Sequence, residues 1–222
     1  AFHRGHPPLA DRYALPAAVQ ERRGIRRYGF HGLSYEYVAG RLAELEPGLA
    51  DARVVIAHLG NGASMCAVRG GRSIECSLGF STIGGLPMGT RCGDIDPGVV
   101  LALLRDGGMS ADEVERLLMK ESGLRGMSGI SHDVRELLAS DAPAAREALA
   151  FFCYRVAGEL GRLTAALGGL DALVFTAGIG EHAAPVRAAV LERSAWLGLR
   201  PHSAANEAGG PCISMPGASP SA

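Results

Sequence analysis

Residues 54–71 read VVIAHLGNGASMCAVRGG, and the fold turns on how that stretch breaks. The β-branched run over 53–58 predicts a buried strand. It stops at His58-Leu59-Gly60-Asn61-Gly62, and a second semi-apolar run over 63–68 predicts its neighbour. Arg69-Gly70-Gly71-Arg72 then predicts a tight hairpin, because paired glycines accept positive φ without a steric penalty. Residues 73–78 return as a third strand, so the run makes a meander.

On the N-terminal side, 1–30 is rich in proline and arginine, with one short helix at AAVQERRG. Residues 34–45 have helical spacing, with Val38, Leu42 and Leu45 on one apolar face, and Pro47-Gly48 ends them. On the C-terminal side, Asp96 and Pro97 read as an N-cap and first helical position. Ser110 and Glu113 have capping-box spacing for a helix that ends near Gly123, and 122–129 reads as a flexible loop. A long alanine-rich helix spans 143–167 and stops at Gly168-Gly169. A buried strand over 170–176 ends in an Ala177–Gly180 turn, and a helix follows over 184–194. Three strands, then helices, then a strand and a helix predict a mixed sheet of the α/β class. The strict alternation of a doubly wound parallel sheet is absent.

The chain has 222 residues, 47% of them apolar, which is enough for a sizeable core. A net charge of −1 argues against a nucleic-acid partner held by a basic face. Cys66, Cys76, Cys92, Cys153 and Cys212 are odd in number and form no CxxC pair, which predicts reduced thiols in a cytoplasmic protein. Cys66 and Cys76 could face each other across the hairpin. No apolar run approaches the ~18 residues of a membrane span, and no signal peptide is visible. The opening AFHRGH lacks a methionine and the closing PGASPSA is a small polar tail, so a fragment is expected.

Five polar clusters interrupt this frame. Glycines at 60 and 62 let backbone N–H groups turn towards one anion, and His58 and Asn61 add donors on the same turn. Gly178-Ile179-Gly180-Glu181 again follows an apolar strand. Through Ala183 it also fits a G-x-G-x-x-A dinucleotide fingerprint, but AWLGLRPH downstream lacks the ribose-binding acid. No GxxxxGK[ST] P-loop is present. In GLPMGTRCGDID, Arg91 sits between Gly89 and Gly93, where a planar donor fork suits a phosphoryl oxygen or carboxylate, or pairs with Asp94 on an exposed loop. His31 lies in RRYGFHG, bracketed by glycines and preceded by arginines. Ser131-His132-Asp133-Val134-Arg135 is a polar helix start. Each cluster alone also fits an ordinary turn or a satisfied polar group.

Together, and in this order, they resemble the acetate kinase family of the acetate and sugar kinase/Hsp70/actin superfamily. The matching stretches are YGFHG at 28–32, HLGNGAS at 58–64, LPMGTRCGDIDPG at 86–98, ESGLRGMSG at 121–129, SHDVR at 131–135 and FTAGIGEH at 175–182. The resemblance implies a ribonuclease H-like domain of the actin/Hsp70 ATPase type. Residues 53–222 would be the C-terminal ATPase domain, with a helical insertion over about 97–142, and 1–52 an interdomain lead-in. It implies reversible, in-line phosphorylation of acetate or another short carboxylate by ATP with Mg²⁺, in a cytoplasmic homodimer. Partners would be ATP/ADP and acetate/acetyl phosphate, with no nucleic acid or membrane.

Carried over by residue, His31 and Arg91 would stabilise the transferring phosphoryl group. His58, Leu59, Gly60, Asn61 and Gly62 would contact phosphates. Asp133, Val134 and Arg135, with Gly178, Ile179, Gly180, Glu181 and His182, would line the rest of the nucleotide. The family's catalytic aspartate, the asparagine and arginine of its first domain and its metal-binding glutamate match no residue here. The resemblance therefore implies no metal ligands in this stretch and no turnover by it alone. His182 stands where the family usually has asparagine, and Leu33 and Tyr35 replace two polar residues of FHGTSH. The other readings are a non-catalytic actin- or Hsp70-like nucleotide-binding module, for which the His31/Arg91 pair would be superfluous, and a dinucleotide-binding oxidoreductase.

Overall fold

The computed structural model describes residues 2–222. Its centre is a four-stranded mixed sheet of order β3-β2-β1-β4. Strands β1 (Arg53–Leu59), β2 (Ala63–Arg69) and β3 (Arg72–Cys76) form the antiparallel meander, and β4 (Ala172–Thr176) pairs parallel to β1. Six consecutive residues of β2, Ala63 to Val68, are buried, as expected for a strand covered on both faces. A register irregularity at Ala67/Val68 bends β2 against the edge strand β3. Cys66 and Cys76 are register partners, both free and buried, and burial pushes both thiols up. At the mouth of the sheet, Arg53 ties β1 to β4. Its backbone N–H and its Nε donate to Asp171 Oδ2 at 2.8 and 2.9 Å.

Helices α1 (Ala17–Arg23) and α2 (Gly32–Leu45) precede the sheet. The first residues form a 3-10 turn, Phe2–Gly5, seated on β3. His3 Nδ1 and His6 Nε2 both reach Ser73 Oγ, at 2.8 and 2.7 Å, and His6 Nδ1 lies 3.1 Å from Asp11 Oδ1. Between β3 and β4 run α3 (Pro97–Arg105), α4 (Ala111–Lys120), α5 (Gly123–Ser128), α6 (Val134–Leu138) and α7 (Pro143–Leu167). The caps read from sequence are formed: Asp96 accepts from Gly98 N–H, and Ser110 and Glu113 cap each other reciprocally. The long helix α7 buries Ala145, Ala148, Phe152, Val156, Leu160, Leu163 and Leu167 at three- and four-residue intervals. That stripe packs on the sheet, and the helix stops at Gly168 in the left-handed conformation. After β4 come α8 (Ala177–His182), α9 (Ala184–Arg193) and α10 (Ser203–Ala208).

Three sequence expectations change. The 122–129 segment is not a flexible loop; it contains helix α5, because the N–H groups of Leu124 and Arg125 donate to Met88 and Gly89 carbonyls at 2.9 Å each. The 177–180 turn is the first part of a short helix, α8. Helix α2 starts at Gly32, two residues before its apolar pattern begins.

Candidate functional site

The parallel pairing of β1 with β4 sets His58 opposite Thr176, so the two glycine segments leave the sheet side by side. A Cβ on Gly60 would lie 3.5 Å from the Ala177 Cβ. Across this edge comes His31, delivered from the N-terminal segment. It caps α2 at φ +58, a left-handed conformation that costs of order 1 kcal/mol for a residue with a side chain. Among the described residues Ala177, at φ +65, is the other non-glycine residue in that region, and it opens α8 directly after β4.

The His31 ring stacks on His58 with centroids 4.3 Å apart. Its Nδ1 is 2.8 Å from Ser64 Oγ on β2, and Ser64 Oγ also hydrogen-bonds the Tyr35 hydroxyl. The other ring is held by Ser34, whose Oγ is 2.9 Å from His58 Nδ1. Burial is the largest cause lowering His31 to about 4, and the neighbouring His58, Arg91 and His3 lower it further. Burial also lowers His58, against the pull of Glu181. Both rings are therefore neutral at pH 7 and act as hydrogen-bonding groups.

Arg91 arrives from the opposite side on a tightly tied loop. Met88 N–H donates to Arg91 O at 3.0 Å, Cys92 N–H to Leu118 O at 3.0 Å, and Gly89 N–H to Asn61 O at 3.1 Å. Thr90 Oγ1 donates to Met119 O at 3.0 Å, anchoring the loop to the end of α4. Gly123 closes under it at φ +63, where a Cβ would meet Met88 O at 2.2 Å and Arg91 O at 2.7 Å. The guanidinium donates to Thr82 O at 3.2 Å and to Met88 Sδ at 3.4 Å. It does not pair with Asp94, which instead accepts from Gly85 N–H at 2.6 Å.

His31 and Arg91 meet over Gly62. A Cβ there would lie 3.5 Å from His31 Nε2 and 3.8 Å from Arg91 Nη1. Gly62 thus keeps open a volume bordered by a neutral imidazole and a cation. Its φ is not among the positive ones, so the glycine serves space and not backbone conformation. The pair can donate to one tetrahedral or trigonal oxyanion.

The remaining predicted residues divide. Asn61 is exposed, and its Oδ1 lies 2.2 Å from where a Gly89 Cβ would be, so its side chain leans over the Arg91 loop. Leu59 is buried in the core and contributes backbone alone. Asp133 caps α6 and pairs with Arg135, whose Nη2 donates at 2.6 Å; those bonds hold the carboxyl at about 2. Both are turned to each other, Val134 is buried beneath them, and the link to the site is His132, 3.3 Å from a Gly89 Cβ. Glu181 is turned back on its own helix, accepting from Thr176 Oγ1 at 3.0 Å and Ala177 N–H at 2.9 Å. Gly178 and His182 are exposed, while Ile179 packs on the core and Gly180 is buried. A separate groove lined by Arg27, Glu75, Asp94 and Arg162 contains none of these residues.

Several supporting residues escape sequence reading. Ser34 and Ser64 look like ordinary polar positions. Arg187 is buried in α9, where Nη1 donates to Gly180 O at 3.0 Å and Glu181 O at 2.7 Å, and Nε to Asn206 Oδ1 at 2.7 Å. It thereby fixes the end of α8. Its signal is an arginine on the face shared by Val186, Val190 and Leu191.

Comparison with known proteins agrees with this arrangement. The profile of the Acetokinase family matches residues 1–219. An acetate kinase from Rhodopseudomonas palustris is 58% identical over 219 residues, covering 97% of this chain and 55% of that protein. The crystal structure of Porphyromonas gingivalis acetate kinase superimposes with a TM-score of 0.94 at 38% identity, over 99% of this chain and 57% of that one. A propionate kinase from Francisella tularensis gives 0.93 at 37% identity, over 98% and 57%. The mixed sheet is that of the actin/Hsp70-type fold these kinases share. The chain spans about half the length of the curated relatives it matches.

Proposed function

The chain belongs to the acetokinase family, and from that premise we propose that it carries the phosphoryl-handling half of a kinase acting on acetate or another short carboxylate. A carboxylate oxygen attacks the γ-phosphorus of ATP as the bond to the bridging oxygen of ADP breaks, giving acyl phosphate and ADP, and the reaction runs in both directions. The transferring group is loose and spreads its charge over three equatorial oxygens, so catalysis is mainly positioning and electrostatics. His31 donates through Nε2 to one such oxygen, and Arg91 supplies fixed donors and charge to others. Each donor of this kind is worth about 2–4 kcal/mol of barrier. The turn at His58–Gly62 and the segment at Gly178–His182 hold the nucleotide from two sides, and Asp133–Arg135 border its far end.

The observation that carries this reading is the approach of His31 Nε2 and Arg91 Nη1 to one point above Gly62. A pure binding module has no use for that pair. The dinucleotide reading loses support because β1, β2 and β3 form an antiparallel meander and the glycines at 178 and 180 lie inside α8. The propionate kinase among the structural relatives keeps the acid class at short carboxylates.

The family implies a divalent metal with the nucleotide. Among the described residues no three His, Cys, Asp or Glu side chains gather around one point, and no step here runs through a metal. The same reading makes 53–222 the ATPase domain and 1–52 a lead-in whose role is to deliver His31. It also makes the protein a cytoplasmic homodimer with small-molecule partners and no nucleic acid or membrane. Free cysteines and a net charge of −1 support the compartment and the partners, while the homodimer rests on family membership. Among the described residues no helix is long and apolar enough to cross a membrane.

Thermal unfolding of the purified chain tests the proposal. ATP should raise the midpoint, NAD⁺ should not, and Arg91→Ala should abolish the ATP effect. Equal protection by NAD⁺ would overturn it. The chain alone should form no acetyl phosphate from ATP and acetate.

A further inference from the structure

We propose that Tyr35 and Ser64 form a hydroxyl relay that fixes His31 as a neutral ring with its proton on Nε2, the nitrogen that faces Gly62 and Arg91. The relay stands on hydrogen-bond accounting; its value for positioning a phosphoryl donor rests on the function proposed above.

Tyr35 and Ser64 are both fully buried, at 0% exposure. The Tyr35 hydroxyl hydrogen-bonds Ser64 Oγ, and Ser64 Oγ lies 2.8 Å from His31 Nδ1. Ser64 has one proton to give and two neighbours. If His31 donated from Nδ1, Ser64 would either donate to Tyr35 and leave the phenol proton buried without an acceptor, or accept from both neighbours and leave its own proton in the same state. In the opposite direction every group is satisfied: Tyr35 donates to Ser64, Ser64 donates to Nδ1, and Nδ1 accepts. The ring proton then stands on Nε2. The titratable and charged groups facing His31 are His58, Arg91 and His3, and each opposes a second ring proton. Burial holds the Tyr35 phenol far above its ordinary range, so it remains a donor across the working pH range. Tyr35 is thus a positioning residue two hydrogen bonds from the reacting group, at a position where the family pattern has histidine.

The test is long-range ¹H–¹⁵N correlation of the imidazoles in the full 222-residue chain. Wild type should show His31 protonated on Nε2. Tyr35→Phe removes one oxygen and keeps the ring, and Ser64→Ala removes the direct partner. At least one should lower the Nε2–H to Nδ1–H ratio of His31 twofold or more, with the His58 pattern and the thermal midpoint reporting an intact fold. A wild-type proton on Nδ1, or an unchanged ratio in both variants, overturns the relay. ATP binding is read separately. Its absence with the expected tautomer would count against the kinase reading alone, and its presence with the wrong tautomer against the relay alone.

Discussion

Replacing Gly62 with alanine should separate stability from ligand binding. The added methyl would lie 3.5 Å from His31 Nε2 and 3.8 Å from Arg91 Nη1, both ordinary van der Waals distances. Gly62 does not use positive φ, so alanine is not strained there. Restricting the unfolded chain then favours the variant by about 0.4–1 kcal/mol, or a rise of roughly 1–4 °C in a protein this size. The ligand meets the opposite effect. A phosphoryl oxygen must come within about 2.7–3.2 Å of each donor, in the space the methyl takes. A charge-assisted hydrogen bond contributes about 1.5–3 kcal/mol, so losing one weakens binding by about 10- to 150-fold. Calorimetric titration with ATP, beside a thermal melt of the same sample, reads both effects. An unchanged melt with unchanged ATP affinity would refute the placement of the phosphate between His31 and Arg91.

Gly123→Ala should do the reverse, destabilising by about 2–4 kcal/mol, because its Cβ would overlap the Met88 and Arg91 backbone at positive φ; a urea titration checks this. Arg187→Ala should cost about 3 kcal/mol or more by stripping donors from Gly180 O, Glu181 O and Asn206, and should broaden the amide signals of α8 in NMR spectra. Stability should fall with pH below neutrality. His31 has its proton affinity lowered to about 4 by burial, so the unfolded chain binds the proton first, and stability drops from about pH 6.5 towards 4. At pH 5 this removes up to about 2 kcal/mol, and His3, His6 and His58 act in the same direction. Urea midpoints at pH 7 and pH 5 measure it; equal midpoints would contradict the neutral buried ring.

The meander was legible because its signals are local. The β-branched run in β1, the semi-apolar run in β2 and the Arg69–Arg72 turn each act within a few residues. The Asp96 and Ser110 caps were legible for the same reason. Helix α5 was not, since Ser122, Gly123, Gly126 and Gly129 all read as breakers. Its stability comes from carbonyls of the Arg91 loop about 35 residues upstream, a tertiary effect that overrides propensity. The site residues were legible as motifs, but their convergence was not. His31 reaches Arg91 because a residue with a side chain adopts φ +58 ahead of α2, because Ser64 on β2 holds its ring, and because Asn61 O ties down the Arg91 loop. The reading of Arg91 as a partner for Asp94 failed because Asp94 caps the Gly85 amide across the same loop. Arg187 went unnoticed because most of its partners are backbone carbonyls, which leave no trace in a sequence pattern, and its one side-chain partner, Asn206, lies on a later helix.

The claim underlying the whole account is that an imidazole and a guanidinium from distant parts of the chain grip one phosphoryl group. A crystal structure of the chain with ADP and aluminium fluoride, a mimic of the group in flight, addresses it most directly. The account predicts the fluoride complex above Gly62, within hydrogen-bonding distance of His31 Nε2 and the Arg91 guanidinium. A fluoride complex bound with the nucleotide but touching neither side chain would contradict it.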